Sequence, residues 1–465
     1  MILKNKYPIL WLLLVIFYLL DISLGISILS CIFLISLIFN LGNKDYFLQN
    51  LTYAILLSPA LISVQIGSIQ FVFSDLFIFL GSIFLIFKNI VHNKKITYNF
   101  KSSLLVKLFI SIFLFNFFQT VIFSVIGEYT NYKFQLYIFF HIILFFALLS
   151  IDINYKHQKL LLKSFLISVF FAIIIVLNYY IRGESLLAWS GGDFASASDL
   201  PEYLFFRATY FYSGFPLYLG CSIALLGYLV FNNQVLYKTR FLICLVLFVE
   251  IIAAIAFINK TVFVALVGAI FLIQLYKFRY NLLKFLKSIL IKSFIVLSVF
   301  FSLIMVVDFS LFSNYIAYST QTGSLMIRFY IYFNSIKLIL SDSFNFFFGE
   351  GLGFLSSNEP KSLLYRKNQS GIIEGTVDSQ FMNILIETGI IGLFLVFCFI
   401  CAVAYRLYKL KKNEERFAVP IVIMFSFIAI SCLTQRIGLA KLSLILPVLT
   451  ALVAKYHYER TKLLK

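Results

Sequence analysis

Charged residues are scarce in this sequence. Asp, Glu, Lys and Arg make up 12% of its 465 residues, whereas a typical soluble domain carries about 25%. Hydrophobic residues make up 62%, and the mean hydropathy is +0.97. No stretch has the composition of a soluble domain, so the length does not imply several soluble domains. We expect one membrane-embedded domain, residues 1–465, with the lipid bilayer as its surroundings.

Cysteine and histidine are also rare. The four histidines are scattered along the chain, and the six cysteines lie in or beside apolar runs. Cys398 and Cys401 form a C-x-x-C inside one such run, where we interpret them as packing or lipid-facing residues. This distribution indicates neither a disulfide framework nor a metal site. We therefore expect no metal and no cofactor.

Acidic residues are fewer than basic ones, which gives a net charge of +18. The basic residues cluster mostly in short connections between apolar runs, such as Lys277, Arg279 and Lys284. Cytoplasmic connections of membrane proteins carry this excess of Lys and Arg. The charge therefore predicts topology rather than nucleic-acid binding. It favours an even number of spans, with both termini in the cytoplasm.

Long apolar runs recur from end to end, and they predict an all-α, polytopic membrane protein with about fourteen transmembrane helices. We expect an uncleaved first helix. The sequence shows no internal repeat, which counts against transporters built from related halves. The predicted spans are 8–21, 24–41, 50–66, 71–87, 104–126, 133–150, 162–181, 208–231, 240–258, 261–276, 289–308, 381–404, 417–433 and 438–454.

Two predicted extracytoplasmic connections are unusually long. One is 182–207, and the other is 309–380, roughly 70 residues, a length that is usually functional or has structure of its own. The longer loop contains a predicted amphipathic helix at 325–340. It then carries glycines at 349, 351 and 353, which predict a turn. That run lacks the Lys-Ser/Thr of a nucleotide-binding loop.

Several cations fall on the predicted outer side against the general charge bias. Each one alone is consistent with a side chain that snorkels to the membrane surface. Together they would form a positive cavity, and arginine suits a diphosphate because its planar fork makes paired, charge-assisted hydrogen bonds. The set comprises Arg182, Arg207, Lys260, Arg328, Lys337, Lys361, Arg366, Lys367, Arg436 and Lys441.

Three carboxylates fall in or beside predicted spans. Asp378 precedes a predicted membrane helix, and Glu387 lies within it, about 13 Å further along the axis. Asp378 is either a helix N-cap or a functional residue, namely a general base or a group that orients a sugar hydroxyl beside the cationic cavity. Glu250, in the middle of an apolar run, is either the partner of a cation or a site residue.

Three segments together resemble the O-antigen ligase and polymerase superfamily of bacterial inner-membrane proteins. An arginine-bearing helix, SLMIRFYIYFNSIKLIL with Arg328, is followed by the glycine turn FFFGEGLGF. The segment DSQFMNILIETGIIGLF then opens with a polar pair and contains E-x-G-x-x-G. Arg207 in RATYFYSGFPLYLG and Lys260 in Asn259-Lys260-Thr261 also resemble family positions. The similarity covers roughly 205–400.

The resemblance implies a metal-independent, membrane-embedded glycosyltransferase of the type C kind, with short helices in its large periplasmic loop. Its substrates would be glycans on undecaprenyl diphosphate, and a chain-length regulator would be a possible partner. Arg328 and Arg207 would hold the diphosphate, supported by Lys260, Arg366, Arg182 and Arg436. Asp378 would act on the acceptor hydroxyl, with Glu387 and Glu350 as the next candidates.

Ligases of this superfamily tend to carry His-Asn where this sequence has Asp378-Ser379. This departure favours a polymerase that joins oligosaccharide repeat units into O-antigen or capsule-type polysaccharide at the outer face of the inner membrane. An O-antigen ligase and a lipid-linked oligosaccharide flippase stay open as alternatives. The missing repeat and the long loop count against the flippase.

Overall fold

The computed structural model describes a large part of the chain, and the structural statements below concern that part. The described residues are 6–20, 23–61, 63–66, 69–93, 104–126, 132–151, 153, 155–182, 215–231, 237–256, 333, 335–340, 342–351, 366–367, 373–374, 380–408, 421, 423–425, 428 and 447–453.

The described chain is mostly helical. The N-terminal helices are α1 (Lys6–Leu19), α2 (Ser23–Phe39), α3 (Lys44–Leu61), α4 (Phe73–Asn93), α5 (Leu104–Ile126), α6 (Tyr132–Ser150) and α7 (Tyr155–Arg182). The later helices are α8 (Phe215–Phe231), α9 (Tyr237–Ala256), α10 (Ser343–Phe348) and α11 (Gln380–Tyr408). Residues 335–340 and 447–453 are helical as well. All of these except α10 and 335–340 overlap a predicted span, and 335–340 lies in the predicted amphipathic helix.

Two short antiparallel hairpins interrupt the helices, so the prediction of helix alone was incomplete. One consists of β1 (Ser63–Ile66) and β2 (Ile69–Val72), and the other of β3 (Arg366–Lys367) and β4 (Ile373–Glu374). The first occupies the predicted junction of two spans at 66–71. Its sequence alternates apolar and polar residues around Gly67-Ser68, which is the pattern of a hairpin.

The helices α1, α2, α3, α4 and α7 pack around a core of aromatic side chains. Trp11 lies at its centre, fully buried, with its ring 4.4 Å from that of Phe33 and 5.9 Å from that of Tyr53. The indole Nε1 donates to Asn50 Oδ1 at 3.0 Å, and Asn50 Nδ2 donates to the Tyr46 carbonyl at 3.0 Å. Asn50 is thus a buried amide that is hydrogen-bonded through both of its polar atoms.

Polar contacts fix the relative directions of the N-terminal helices. His157 Nε2, near the start of α7, lies 2.9 Å from Asp45 Oδ1, near the start of α3. The helices α3 and α7 therefore run in the same direction. Asn89 Nδ2, near the end of α4, lies 3.4 Å from Ser150 Oγ at the end of α6. These directions agree with the predicted alternation of spans.

The described helices fit a membrane protein. Four are long and apolar enough to cross a bilayer, namely Phe73–Val91, Leu104–Phe123, Lys156–Ile175 and Phe381–Tyr405, and shorter apolar helices accompany them. Large apolar side chains such as Phe117 and Phe118 are about 60% exposed, which suits a surface in contact with lipid. The total of about fourteen spans stays a prediction.

Candidate active site

A short helix leads into the glycine turn that the sequence predicts. Asp342 caps α10, since its Oδ1 accepts a hydrogen bond from the Phe344 amide at 3.2 Å. At the other end of α10, the Gly349 amide donates to the Asn345 carbonyl at 2.8 Å. Gly349 and Gly351 have φ angles of 75° and 96°, a region in which glycine is favoured over residues with a side chain. The chain thus reverses at Gly349-Glu350-Gly351.

The helix α11 is broken near its beginning. Gly389 has φ 65° and ψ −168° within an otherwise helical segment, so residues before and after it form two helical parts. Such a break releases backbone groups from the regular hydrogen-bond ladder. In a membrane they need other partners, because no bulk water is available.

The glycine turn supplies these partners. The Glu350 amide donates to the Ile386 carbonyl at 2.8 Å, and the Gly351 amide donates to the Glu387 carbonyl at 3.2 Å. A Cβ atom at position 349 would lie 2.5 Å from Glu387 C, and one at position 389 would lie 2.6 Å from Phe348 N. Both distances are too short for real Cβ contacts, so the two glycines permit the close approach.

The helix α5 completes the junction. Gln119 Nε2 donates to the Phe348 carbonyl at 2.5 Å and also to the Glu387 carbonyl. Gln119 lies about 10 Å from the end of α5, and Glu387 lies about 10 Å from the start of α11. Phe109, earlier in α5, lies 5.9 Å from Phe399, later in α11, ring to ring, so the two helices run antiparallel. We call this assembly of α5, α10, the turn 349–351 and the start of α11 the glycine-turn junction.

The two sides of α5 differ in character. Leu114, Phe117, Phe118 and Val121 are exposed, whereas Asn116, Gln119 and Thr120 are at least nine-tenths buried. These polar residues recur at helical spacing, so they share one face. Polar side chains within a membrane helix usually face other helices or a cavity and mark functional positions.

Two of the predicted catalytic carboxylates belong to the glycine-turn junction. Glu350, in the turn, accepts a hydrogen bond from Asn345 Nδ2 at its Oε1, at 2.8 Å. Glu387 is 8% exposed, and its backbone carbonyl accepts hydrogen bonds from the Gly351 amide and from Gln119 Nε2. The structure thus brings the glycine turn and E-x-G-x-x-G together. Whether either carboxylate is catalytic stays a prediction.

The remaining predicted site residues lie outside the glycine-turn junction or outside the described residues. Arg182 is the last residue of α7, and Arg366 lies in β3, paired in register with Glu374. Asp378, Arg207, Lys260, Arg328 and Arg436 lie outside the described residues. The predicted cationic cavity accordingly stays a prediction.

Glu250 lies away from the glycine-turn junction, in the contact between α8 and α9. It is fully buried, and Ser222 Oγ donates to its Oε1 at 2.8 Å. Of the two interpretations that the sequence left open, a partner of a cation and a site residue, the described contact supports neither. The observed partner is a neutral hydroxyl.

Residues 217–397 match the family model described as O-antigen ligase. The resemblance read from the glycine turn and E-x-G-x-x-G is therefore confirmed, and both lie within the matched region. Members of this family are glycosyltransferase-like enzymes. No curated protein matches the sequence.

The sequence analysis missed three residues of this region. Gln119 lies on a helix outside the match, and only its polar character within an apolar run marks it. Asn345 and Asn383 lie inside the match, and Asn383 is 2% exposed. Amides in apolar runs were the signal that could have found Gln119 and Asn383, because burying a polar group in a membrane is costly without a role for it.

Proposed function

We propose that this protein is a polymerase that joins oligosaccharide repeat units carried on undecaprenyl diphosphate. It transfers the growing glycan to an incoming repeat unit at the outer face of the bacterial inner membrane. The observation that carries the proposal is the docking of the glycine turn on the broken helix. The Glu350 and Gly351 amides bond the Ile386 and Glu387 carbonyls there, inside the region that matches the O-antigen ligase family.

The proposed reaction is a substitution at the donor's anomeric carbon. A hydroxyl of the acceptor repeat unit forms the new glycosidic bond, and the bond from the anomeric carbon to the diphosphate oxygen breaks. The hydroxyl proton passes to a carboxylate, for which Asp378, Glu387 and Glu350 are the candidates. Undecaprenyl diphosphate leaves with the bonding electron pair.

The leaving group gains negative charge as the bond breaks. Cations placed beforehand around the diphosphate lower the barrier because they stabilise that charge in the transition state. Arg328 and Arg207 are the proposed principal groups, with Lys260, Arg366, Arg182 and Arg436 as supports. This assignment makes metal ions unnecessary, because the charge is balanced by side chains.

Two features favour the polymerase over the alternatives. Asp378-Ser379 stands where ligases tend to carry His-Asn, so the acceptor chemistry differs from that of a ligase. A flippase would be expected to have two related halves, whereas the sequence shows no internal repeat and has a long predicted loop at 309–380. A chain-length regulator would act on the same membrane face.

The test is glycan profiling on gels in the native host, with variants at matched protein level. Arg328→Ala, Asp378→Ala and Glu387→Gln should reduce surface polymer to single repeat units on their lipid anchor. The matched control is Glu250→Gln, a buried carboxamide substitution that leaves Ser222 an oxygen to bond and should preserve long polymer.

The alternatives have different signatures in the same experiment. Long polymer that stays on undecaprenyl diphosphate in the variants would indicate a ligase and not a polymerase. Repeat units trapped at the cytoplasmic side would indicate a flippase. Long polymer that reaches its normal destination in all three variants would reject the proposed site.

A further inference from the structure

The first turn of α11 carries a buried amide without a hydrogen bond. Asn383 is 2% exposed, and both its Nδ2 and its Oδ1 lack a partner among the described residues. A carboxamide in this state destabilises the folded protein, since its water contacts are lost and nothing replaces them. Buried polar atoms without partners are rare in native proteins, and they usually reflect strain, a functional role or a bound group such as water.

A second buried polar atom without a described hydrogen-bond partner belongs to the same junction. Gln119 is 1% exposed, and its Nε2 is committed to the Phe348 and Glu387 carbonyls. Those two bonds fix the orientation of the amide group and leave its Oε1, which has no hydrogen-bond partner in the described part of the chain. Asn383 precedes Glu387 by one helical turn, so both amides lie along the contact between α5 and α11.

These open atoms select the chemistry of a ligand. Gln119 Oε1 and Asn383 Oδ1 accept hydrogen bonds, whereas Asn383 Nδ2 donates them. An ionised diphosphate only accepts, and a polyprenyl chain does neither. A sugar hydroxyl both donates and accepts, so it satisfies both kinds of atom. Asn383 is about 5 Å from the start of α11 along its axis, which is close to one helix end.

We propose that Asn383 and Gln119 Oε1 form a sugar-hydroxyl subsite between α5 and the first turn of α11. The subsite takes a hydroxyl of the lipid-linked repeat unit and sets its position relative to Glu387. This inference rests on the proposed function for its substrate class. It adds Asn383 as a glycan-binding residue, and it gives the α5 helix, outside the matched region, a part in recognition.

The test measures binding to the full-length chain in lipid nanodiscs. The probes are the lipid-linked repeat units that accumulate in the native host when this chain is deleted, and undecaprenyl diphosphate alone. Asn383→Leu should weaken the Kd for the lipid-linked repeat units about tenfold. The Kd for undecaprenyl diphosphate should stay within about twofold, and the thermal unfolding temperature should be unchanged or higher.

Asn50→Leu is the matched control, because its amide is equally buried but hydrogen-bonded. It should lower the unfolding temperature and leave both Kd values of the remaining folded protein unchanged. If Asn383→Leu does not accumulate, Asn383→Ala replaces it, with the same expectations for binding.

The outcomes separate the subsite from its rivals. An unchanged Kd for the repeat units, with equal or higher unfolding temperature, would mean that Asn383 holds at most a buried water. Equal weakening of both probes would assign the amide to the diphosphate, and a lower unfolding temperature would make it structural. If the wild-type chain binds repeat units but forms no polymer, the proposed function fails while the subsite stands.

Discussion

Two buried asparagines in this protein have opposite surroundings. Asn50, in the aromatic core of the N-terminal helices, bonds Trp11 Nε1 and the Tyr46 carbonyl. Asn383, in the glycine-turn junction, has no described residue as a hydrogen-bond partner for either polar atom of its amide. The first arrangement stabilises a helix interface. The second lowers stability in the absence of a ligand, and such sites are typical of function rather than of folding.

The same contrast holds for the ways in which the helices approach one another. Bulky side chains fill the N-terminal core, with Trp11, Phe33 and Tyr53 in ring contact. At the glycine-turn junction, backbone packs directly against backbone, because Gly349 and Gly389 have no side chains to separate the two segments. Close backbone contact fixes the relative position of the two segments more tightly than flexible side chains do, which suits a site whose groups must be placed accurately.

Gly389→Ala should have the largest effect on this contrast. The added Cβ would overlap the backbone of Phe347 and Phe348, and alanine disfavours a φ of 65°. We expect a loss of about 3 kcal/mol or more in stability, together with loss of polymer in the native host. The measurements are thermal unfolding in detergent and glycan profiling.

Gly227→Ala is the control for this prediction. Gly227 lies in α8 with nothing within 4 Å of a Cβ placed there. Alanine in a helix interior is favoured over glycine by about 0.5–1 kcal/mol, so this variant should be slightly more stable and fully active. Equal stability losses in both variants would show that the glycine-turn junction is not a close contact.

Asn50→Leu ranks second. It leaves the buried Trp11 Nε1 without its acceptor, and an unsatisfied buried donor costs about 1–3 kcal/mol. Asn383→Leu is the same chemical change at an amide without hydrogen bonds, so we expect a stability change within about 0.5 kcal/mol or a gain. Thermal unfolding of both variants checks the comparison. A larger loss for Asn383→Leu would reverse it.

The sequence predicts where the described helices lie but not how they pair. The periodicity and length of apolar runs depend on neighbouring residues alone, so α5 begins and ends at the predicted 104 and 126. Contacts between distant segments leave no such local pattern. The bond from Gln119 to the Glu387 carbonyl joins residues far apart in the chain, and the sequence offered only an unexplained amide in an apolar run.

The site was predictable where it follows a family motif. The glycine turn and E-x-G-x-x-G were found in this way, and the structure explains them through backbone contact. The hairpin of β1 and β2 was missed because its residues are apolar enough to extend the flanking spans. Its alternation is a strand pattern, but composition outweighed it. Break points such as Gly389 also escape, since glycine is common in membrane helices.

Gln119→Leu should lower stability only modestly and have a larger effect on activity. Gln119 Nε2 donates to the carbonyls of Phe348 and Glu387. The Glu387 carbonyl would keep its hydrogen bond from the Gly351 amide, so the loss would fall mainly on the Phe348 carbonyl. We expect the free energy of unfolding to fall by about 1 kcal/mol. The position of α5 relative to Glu387 would be less fixed, and glycan transfer depends on position more steeply than folding does.

Chain-length distribution and thermal unfolding, measured together, test this separation. Phe118→Leu is the control, because Phe118 precedes Gln119 on the same helix and is 60% exposed. It should leave polymer length unchanged. Shortened polymer in Gln119→Leu, with an unfolding temperature close to that of Phe118→Leu, would show that Gln119 acts in glycan transfer and not only in folding. A fall in activity no greater than the fall in folded protein would leave it a structural contact like Asn50.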